Sequence, residues 1–297
     1  MKQHGSDLWL SLVIPAAFVL LWSTGWIVAK FAVRDADVLT FLVLRYFGAA
    51  VILAAFAWWC GALWPRNRNG WFHAFLSGVL LHALYLGGIW WAISQGVPAS
   101  ISALLAALQP ILTACLAPRL AGEKVSSLQW TGILLGLVGI LLVLAPKLAS
   151  LTAAELQGSI IALSVNACGM VALTLGTFYQ KRFLQNMDLR AVGSIQFAAA
   201  MLVTLPVAYA SENMHVVWSL NTILSLAWSI GALSIVSIAL LLHLLRKGEV
   251  ARAAQLIYLV PPTAAIQAFL FFGETLTSVQ MAGMTLTCLG VALAVRR

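Results

Sequence analysis

Residues 126–146, SSLQWTGILLGLVGILLVLAP, form a 21-residue stretch without a charged side chain. A helix needs about 20 predominantly apolar residues to cross the hydrocarbon core of a bilayer. The stretch is therefore long enough to span a membrane by itself. Its hydrophobicity is continuous rather than alternating, which favours a helix over a barrel strand. This part of the sequence predicts a transmembrane α-helix.

Nine further stretches of the chain are predominantly apolar and of similar length. With the first they give ten predicted spans, at 9–33, 38–62, 71–95, 99–120, 126–146, 156–180, 190–210, 220–245, 250–272 and 276–295. Only 9% of the residues are charged, against roughly 25% in an ordinary soluble domain. The expected fold class is an all-α integral membrane protein with ten transmembrane helices.

The basic residues indicate how this bundle is oriented. One side takes thirteen of them, namely Lys2, Arg66, Arg68, Arg119, Lys124, Lys181, Arg182, Arg190, Arg246, Lys247, Arg252, Arg296 and Arg297. The other side takes Lys30, Arg34 and Lys147. Since cytoplasmic loops carry the excess of Lys and Arg, both termini are predicted to be cytoplasmic, in an inner (plasma) membrane. The net charge of +8 lies in these short clusters, so lipid headgroups are the expected partners and nucleic acid is not.

The two halves of the chain are similar in sequence when one is compared with the other at an offset of about 151 residues. The tetrapeptide GEKV at 122–125 recurs as GETL at 273–276, and LRY at 44–46 recurs as IQF at 195–197. Because glycine and polar positions match as well as apolar ones, a true repeat explains the pattern better than the general likeness of apolar helices. The sequence predicts two related units.

Five spans in each unit would make the second unit enter the membrane from the opposite side. We therefore predict two inverted five-helix repeats, residues 1–148 and 149–297, forming a single transmembrane transporter domain. Inverted repeats are a recurrent plan of secondary transporters, whose substrate site lies between the halves near the bilayer midplane. A small-molecule substrate is accordingly expected.

Three motifs occur in an order that resembles a known family. They are LWS at 21–23, LRY at 44–46, and a proline followed by Gly-Glu at the ends of spans 4 and 9. With them the chain resembles the EamA type of the drug/metabolite transporter superfamily over nearly its whole length. The resemblance implies export or exchange of amino acids or related metabolites, with aromatic amino-acid exporters the favoured subgroup. It also implies a central cavity lined by helices 1, 3, 4, 6, 8 and 9.

Polar and aromatic side chains inside these spans are the candidate cavity residues. A polar group in a membrane interior is costly unless it has a partner or faces water. The candidates are Trp22, Ser23, His82, Tyr85, Gln109, Asn166, Gln255 and Tyr258. For a histidine such as His82, satisfaction by a neighbouring helix is the alternative to a substrate contact. Trp90 and Trp91, near the end of span 3, are expected in the interfacial aromatic belt.

Prolines and one arginine complete the candidate site. Pro110, Pro261 and Pro262 each remove a backbone donor and predict kinks or gates, with a simple packing kink as the alternative. Arg45 is the clear charge deep inside a span. It could clamp a substrate carboxylate, bond backbone carbonyls structurally, or extend toward the interface.

Other classes of protein find little support in the residues. No H-E-x-x-H or G-x-S-x-G motif and no mid-span Asp or Glu occurs, so a membrane-embedded lipid-modifying enzyme is a weak alternative. A multidrug or nucleoside-type metabolite exporter is a stronger alternative than an enzyme. The four cysteines show no metal-binding spacing, and neither metal nor cofactor is expected. Glycines in spans 5 and 10 predict close packing between the halves, and hence a monomer.

Overall fold

The computed structural model describes residues 3–97, 102, 105–106, 108–120, 122, 124–149, 160–237, 239–240, 256, 259–273 and 276–295. Across these residues there are ten helical stretches, each overlapping one predicted span. They are α1 Gln3–Asp35, α2 Val38–Trp59, α3 Arg68–Ser94, α4 Gln109–Leu120, α5 Ser127–Ala149, α6 Ile160–Leu184, α7 Leu189–Ser211, α8 Leu220–Val236, α9 Val260–Phe272 and α10 Ser278–Val295.

Helix length and composition confirm an all-helical membrane protein. Within the described residues, five helices are long and apolar enough to cross a bilayer, namely α2, α3, α5, α6 and α7. The apolar parts of α1, α8, α9 and α10 are shorter. The only extended pairing in the described segments is a single bridge between Ala36 and Val216. Large apolar side chains such as Trp58 and Phe47 face outward, as expected where the surrounding medium is lipid.

Helices α5 and α10 pack against each other along a seam of glycines. A Cβ atom added at Gly132 would lie 2.6 Å from the carbonyl oxygen of Gly290, and one added at Gly139 would lie 2.7 Å from that of Gly283. Such distances are too short for any side chain, so the two backbones touch directly. Residue numbers rise along α5 as they fall along α10, and the pair is antiparallel. The predicted glycine packing between these helices is confirmed.

Helices α2 and α7 form a second antiparallel pair. The ring of Tyr46 lies 6.1 Å from the ring of Phe197, and the Ser194 hydroxyl donates to the carbonyl oxygen of Ala50 at 3.1 Å. Small residues allow this approach, since Ala49 and Ala200 are both fully buried. The contacts pack one face of α2 against one face of α7, while the opposite faces carry exposed side chains such as Phe47 and Tyr209.

Local features recur at the same shift as the sequence motifs. At the start of α5, Ser126 and Gln129 form a reciprocal capping box, in which each side-chain oxygen accepts the other residue's backbone N–H. Thr277 and Gln280 form the same box at the start of α10. The left-handed glycines before these helices also correspond, with φ of 67° at Gly122 and 65° at Gly273.

Both α3 and α8 contain a π-helical segment. It covers Val79–Gly87 in α3 and Ser229–Val236 in α8, positions again related by about 150 residues. π-Helical turns are rare and are frequently found at functional sites. The two segments therefore mark the middle of α3 and the second half of α8 as candidate functional regions.

The links that precede α2 and α8 are joined to each other. Backbone bonds run from Asp37 N to His215 O at 2.9 Å and from Val217 N to Asp35 O at 2.7 Å. The Glu212 carboxylate accepts from the backbone N–H groups of Leu39 and Thr40 at 2.7 and 2.8 Å, and so caps the start of α2. Segments separated by more than 170 residues are thus tied at one end of the bundle.

The expected interfacial position of Trp90 is wrong. Its side chain is buried and stacks on Phe41, with ring centroids 5.9 Å apart. The end of α3 is covered by α2, so Trp90 serves packing there rather than contact with headgroups.

Candidate functional site

His82 and Tyr85 lie in the π-helical segment of α3. The His82 side chain is 4% exposed, and its ring stacks on Phe197 of α7 at 4.4 Å. Its Nε2 atom has no hydrogen-bond partner within the described part of the chain. Tyr85 is half-buried. The π turn therefore presents one imidazole nitrogen and one phenol to the interior of the bundle.

Tyr46 holds this segment in place and was not among the predicted site residues. Its hydroxyl donates to the carbonyl oxygen of His82 at 2.9 Å, and its ring lies 6.2 Å from the imidazole. Tyr46 and Phe197 thus enclose His82 between α2 and α7. Both belong to the repeated LRY and IQF motifs, which was the signal in the sequence that could have identified them.

Arg45 joins α2 to the π-helical segment of α8. Its side chain is 6% exposed, and Nε donates to the Ser234 hydroxyl at 2.8 Å. The adjacent Tyr46 bonds the His82 carbonyl, so Arg45 lies on the part of α2 that contacts the π-helical segment of α3. The arginine does not extend to the membrane surface, which leaves a structural or a ligand-binding role among the predicted alternatives.

Helix α1 contributes Trp22 and Ser23. The Trp22 indole lies near the Tyr85 hydroxyl of α3, and its ring packs on Phe18 at 5.1 Å. The hydroxyl of the fully buried Ser23 donates to the carbonyl oxygen of Leu20 at 2.9 Å. Ser23 therefore bonds its own helix, whereas Trp22 reaches α3. We call Trp22, Arg45, His82 and Tyr85 the central group.

A second polar group lies between α4 and α6. The Asn166 amide donates to the Ser102 hydroxyl at 2.6 Å. The side-chain oxygens of Asn166 and Gln109 and the Thr113 hydroxyl are buried without a partner in the described part of the chain. A buried polar atom left unsatisfied costs about 1–3 kcal/mol. Three such atoms close to one helix pair indicate a place that accommodates water or a polar solute.

One apolar cluster connects the two groups. It contains Tyr85 of the central group, Leu105 and Ala106 beside the α4 polar residues, and Met170 and Leu173 of α6. A solute held here would find apolar surface flanked by polar atoms on two sides. This is the usual composition of a small-molecule site.

The prolines lie at helix starts. Pro110 is the second residue of α4, which follows a turn at Leu108, and α9 begins at Val260 with proline in its first positions. A proline at the first helical position loses no hydrogen bond. Pro110 and Pro262 are buried, and no side-chain position is described for Pro261. Gln255 and Tyr258 lie outside the described residues.

These features define a class, a multi-pass helical membrane protein with a buried polar site of the kind used for solute transport. The chain belongs to the EamA-like transporter family, whose model matches residues 8–145 and again residues 160–296. The predicted family is confirmed, and membership points away from an enzyme.

Relatives and a solved structure agree with this assignment. The inner membrane transporter YedA of Escherichia coli (strain K12) is 26% identical over 277 residues, covering 93% of this chain and 88% of that protein. A probable amino-acid metabolite efflux pump of Escherichia coli (strain K12) is 25% identical, and the match covers 95% of this chain and 94% of that protein. A protein of the same name from Salmonella typhimurium (strain LT2) is 29% identical, and the match covers 69% of this chain and 70% of that protein. A protein of known crystal structure, 19% identical in sequence, superposes with a TM-score of 0.77 over 95% of this chain and 96% of that chain. The superposition supports the fold.

Proposed function

We propose that this chain is an alternating-access carrier that exports or exchanges amino acids, with aromatic and other apolar ones favoured, or related small metabolites. The observation that carries the proposal is the central group, in which His82 and Tyr85 share the π-helical segment of α3 and the buried Arg45 bonds the π-helical segment of α8. Aromatic rings there suit an apolar side chain, while the guanidinium and the unpartnered His82 nitrogen suit polar ends of a solute.

The proposed architecture is ten spans in two five-helix repeats, residues 1–148 and 149–297. Support comes from the capping boxes, left-handed glycines and π-helical segments that recur at one shift. The double match to the family model, at 8–145 and 160–296, has the same spacing.

An inverted relation of the repeats is supported by which residues touch. Gly132 and Gly283 are corresponding positions, as are Gly139 and Gly290. Gly132 faces Gly290 while Gly139 faces Gly283, so each contact has its counterpart with the halves exchanged. A two-fold axis generates this reciprocal pattern. Because the corresponding helices α5 and α10 are antiparallel, that axis would lie in the membrane plane, as it does in inverted-repeat transporters.

We propose an inner-membrane location with both termini cytoplasmic and a monomer as the working unit. The name of the YedA relative supports the membrane, and the thirteen-to-three distribution of basic residues supports the orientation. Reporter fusions at each terminus test the orientation. Termini found on opposite faces of the membrane would contradict both the orientation and an even number of spans.

An amino-acid substrate is supported by the names of two relatives, which are probable amino-acid metabolite efflux pumps. The charge distribution agrees, because the sequence has no Asp or Glu in the middle of a predicted span. Without a negative counter-charge there, a cation would bind poorly, whereas a zwitterion presents its own opposite charges. Prolines at the starts of α4 and α9 are the proposed gating points.

Counterflow in liposomes containing the purified full-length chain tests the proposal. We expect uptake of labelled phenylalanine into vesicles preloaded with unlabelled phenylalanine, and saturation at high concentration. Replacing Trp22 with Ala should reduce the initial rate at least about tenfold, the effect of losing roughly 1.4 kcal/mol. Trp59→Ala is the matched control, since Trp59 is 84% exposed at the end of α2.

A second matched pair tests the hydroxyl of Tyr85. Tyr85→Phe removes the hydroxyl near the Trp22 indole and should weaken transport, while Tyr209→Phe, at a side chain that is 79% exposed, should not. Absence of flux for every amino acid in a broad panel would remove this substrate class. Flux of nucleosides or common drugs in the same vesicles would then favour the alternative exporters.

A further inference from the structure

We infer that Arg45 recognises a carboxylate on the transported solute. The inference rests on the proposed transport site and adds the chemical group that the site selects. It starts from a comparison between Arg45 and Gln196, the residue at the corresponding position of the second half.

Gln196 makes the structural contact that this position requires, and it does so without charge. Its amide donates to the Ser77 hydroxyl of α3 at 2.5 Å and to the Gln180 side-chain oxygen of α6 at 3.3 Å. Arg45 likewise bonds a serine of a neighbouring helix, Ser234 of α8, with a single N–H. A neutral side chain is therefore enough to join α2 or α7 to the neighbouring helix, and the charge of Arg45 exceeds what the packing needs.

The charge also has no counter-ion in the described part of the bundle. Asp35, Asp37, Asp188 and Glu212 lie at helix ends or in links, and none forms an ion pair with Arg45. A buried guanidinium without an opposite charge is strongly disfavoured, and in membrane interiors such groups mark ligand or ion pathways. A solute that brings its own negative charge would relieve this cost.

The geometry suits a carboxylate. Nε donates to Ser234, which orients the plane of the guanidinium, and the two terminal nitrogens have no hydrogen-bond partner among the described residues, so they can donate side by side. Arginine binds planar carboxylates through such paired bonds, which a lysine ammonium cannot reproduce. His82, whose Nε2 has no partner among the described residues, and Tyr85 lie on the π-helical segment of the neighbouring α3. The solute would place its carboxylate at Arg45 and its apolar body toward the Trp22 and Tyr85 rings.

Three ligands with one phenyl ring separate the contributions of the two ends. L-Phenylalanine carries a carboxylate and an amine, 3-phenylpropanoate only the carboxylate, and phenethylamine only the amine. Binding to the purified full-length chain in detergent is measured by titration. We expect phenylalanine and phenylpropanoate to bind and phenethylamine to bind at least about 30-fold more weakly, the smaller end of what an unpaired buried charge costs.

Arg45→Gln should abolish the preference for the carboxylate, and Arg45→Lys should restore it only in part. Ser234→Ala keeps the charge and loses the Nε bond, so the preference should persist. A structural role alone would make Ser234→Ala and Arg45→Gln act alike. Arg190→Gln removes a charge from an exposed site near the start of α7 and should leave the preference unchanged.

The inference is overturned if the unmodified chain binds phenethylamine as well as phenylalanine, or if Arg45→Gln keeps the carboxylate preference. The first measurement needs no variant, so a variant that fails to fold does not rescue the inference. Failure of the proposed function gives a different result. If phenylalanine does not bind but hydroxy acids or dicarboxylates bind in an Arg45-dependent manner, the amino-acid substrate is wrong and the carboxylate site stands.

Discussion

Replacing Glu212 with Ala should loosen the end of the bundle where the links before α2 and α8 meet. The Glu212 carboxylate accepts from Leu39 N at 2.7 Å and from the backbone N–H and hydroxyl of Thr40 at 2.8 and 2.9 Å. Asp37 occupies the N-cap position of α2, but its side chain makes no capping bond. Glu212, at the end of α7, thus caps a helix of the other half of the chain.

The expected size follows from these bonds. Losing an N-cap acceptor costs about 0.5–2 kcal/mol, and losing a negative charge at a helix N-terminus costs about 0.3–1 kcal/mol more. We therefore expect Glu212→Ala to destabilise the protein by about 1–3 kcal/mol, measured as a lower midpoint of thermal unfolding in detergent. Glu212→Gln keeps a side-chain acceptor without the charge and should lose only part of this.

Ser211→Ala is the neighbouring control, because the Ser211 hydroxyl is exposed and bonds the Val207 carbonyl of its own helix. It should leave the midpoint nearly unchanged. If Glu212→Ala unfolds at the same temperature as the unmodified chain, the carboxylate does not cap α2 in the membrane protein, and the connection between the two links does not depend on it.

Three further predictions concern packing and charge. Gly139→Ala should destabilise by about 1–3 kcal/mol because its new methyl group meets the α10 backbone, whereas Gly231→Ala, with nothing within 4 Å, should be tolerated in the same unfolding assay. Gln196→Leu should cost about 1–3 kcal/mol, because its polar partners on α3 and α6 lose their bonds. Hydrogen bonds from Arg190 lower the pKa of the Asp188 carboxyl in the folded protein. The ionised carboxylate therefore stabilises the fold at pH values above the ordinary pKa of an aspartate. This stabilisation is lost as the pH falls through the lowered pKa of the folded state. The unfolding midpoints of the unmodified chain and Asp188→Asn should therefore converge on acidification below about pH 4; a constant difference would contradict this.

The spans were accessible from sequence because each depends on a local property. A run of about 20 apolar residues needs no knowledge of its neighbours to be recognised as a membrane helix. The capping boxes are equally local, since Ser126 and Gln129 are three residues apart. The repeat shift followed from comparing such short motifs, and the same motifs identified the family.

What the sequence did not provide are contacts that arise only when distant helices meet. Trp90 was expected at the membrane surface because α2 could not be seen covering it. Tyr46 and Phe197 were recognised as repeated residues but not as the walls around His82. The π-helical turns were also missed, since the apolar residues around them fit an ordinary helix equally well. A single sequence records the composition of each helix but not its rotation toward the others.

The correspondence between the halves extends to shape but not to chemistry. Counting 151 residues on from the central group, Trp22 corresponds to Leu173, Arg45 to Gln196, His82 to Leu233 and Tyr85 to Val236. In each pair the group better suited to bind a solute belongs to the first half. Alternating access needs two halves that exchange conformations, not two binding sites. On the proposed function, the central group would hold the solute once per chain, with Asn166, Met170 and Leu173 of the second half lining the same site. We accordingly expect one solute bound per chain, and a titration that gives two would indicate that the second half also binds.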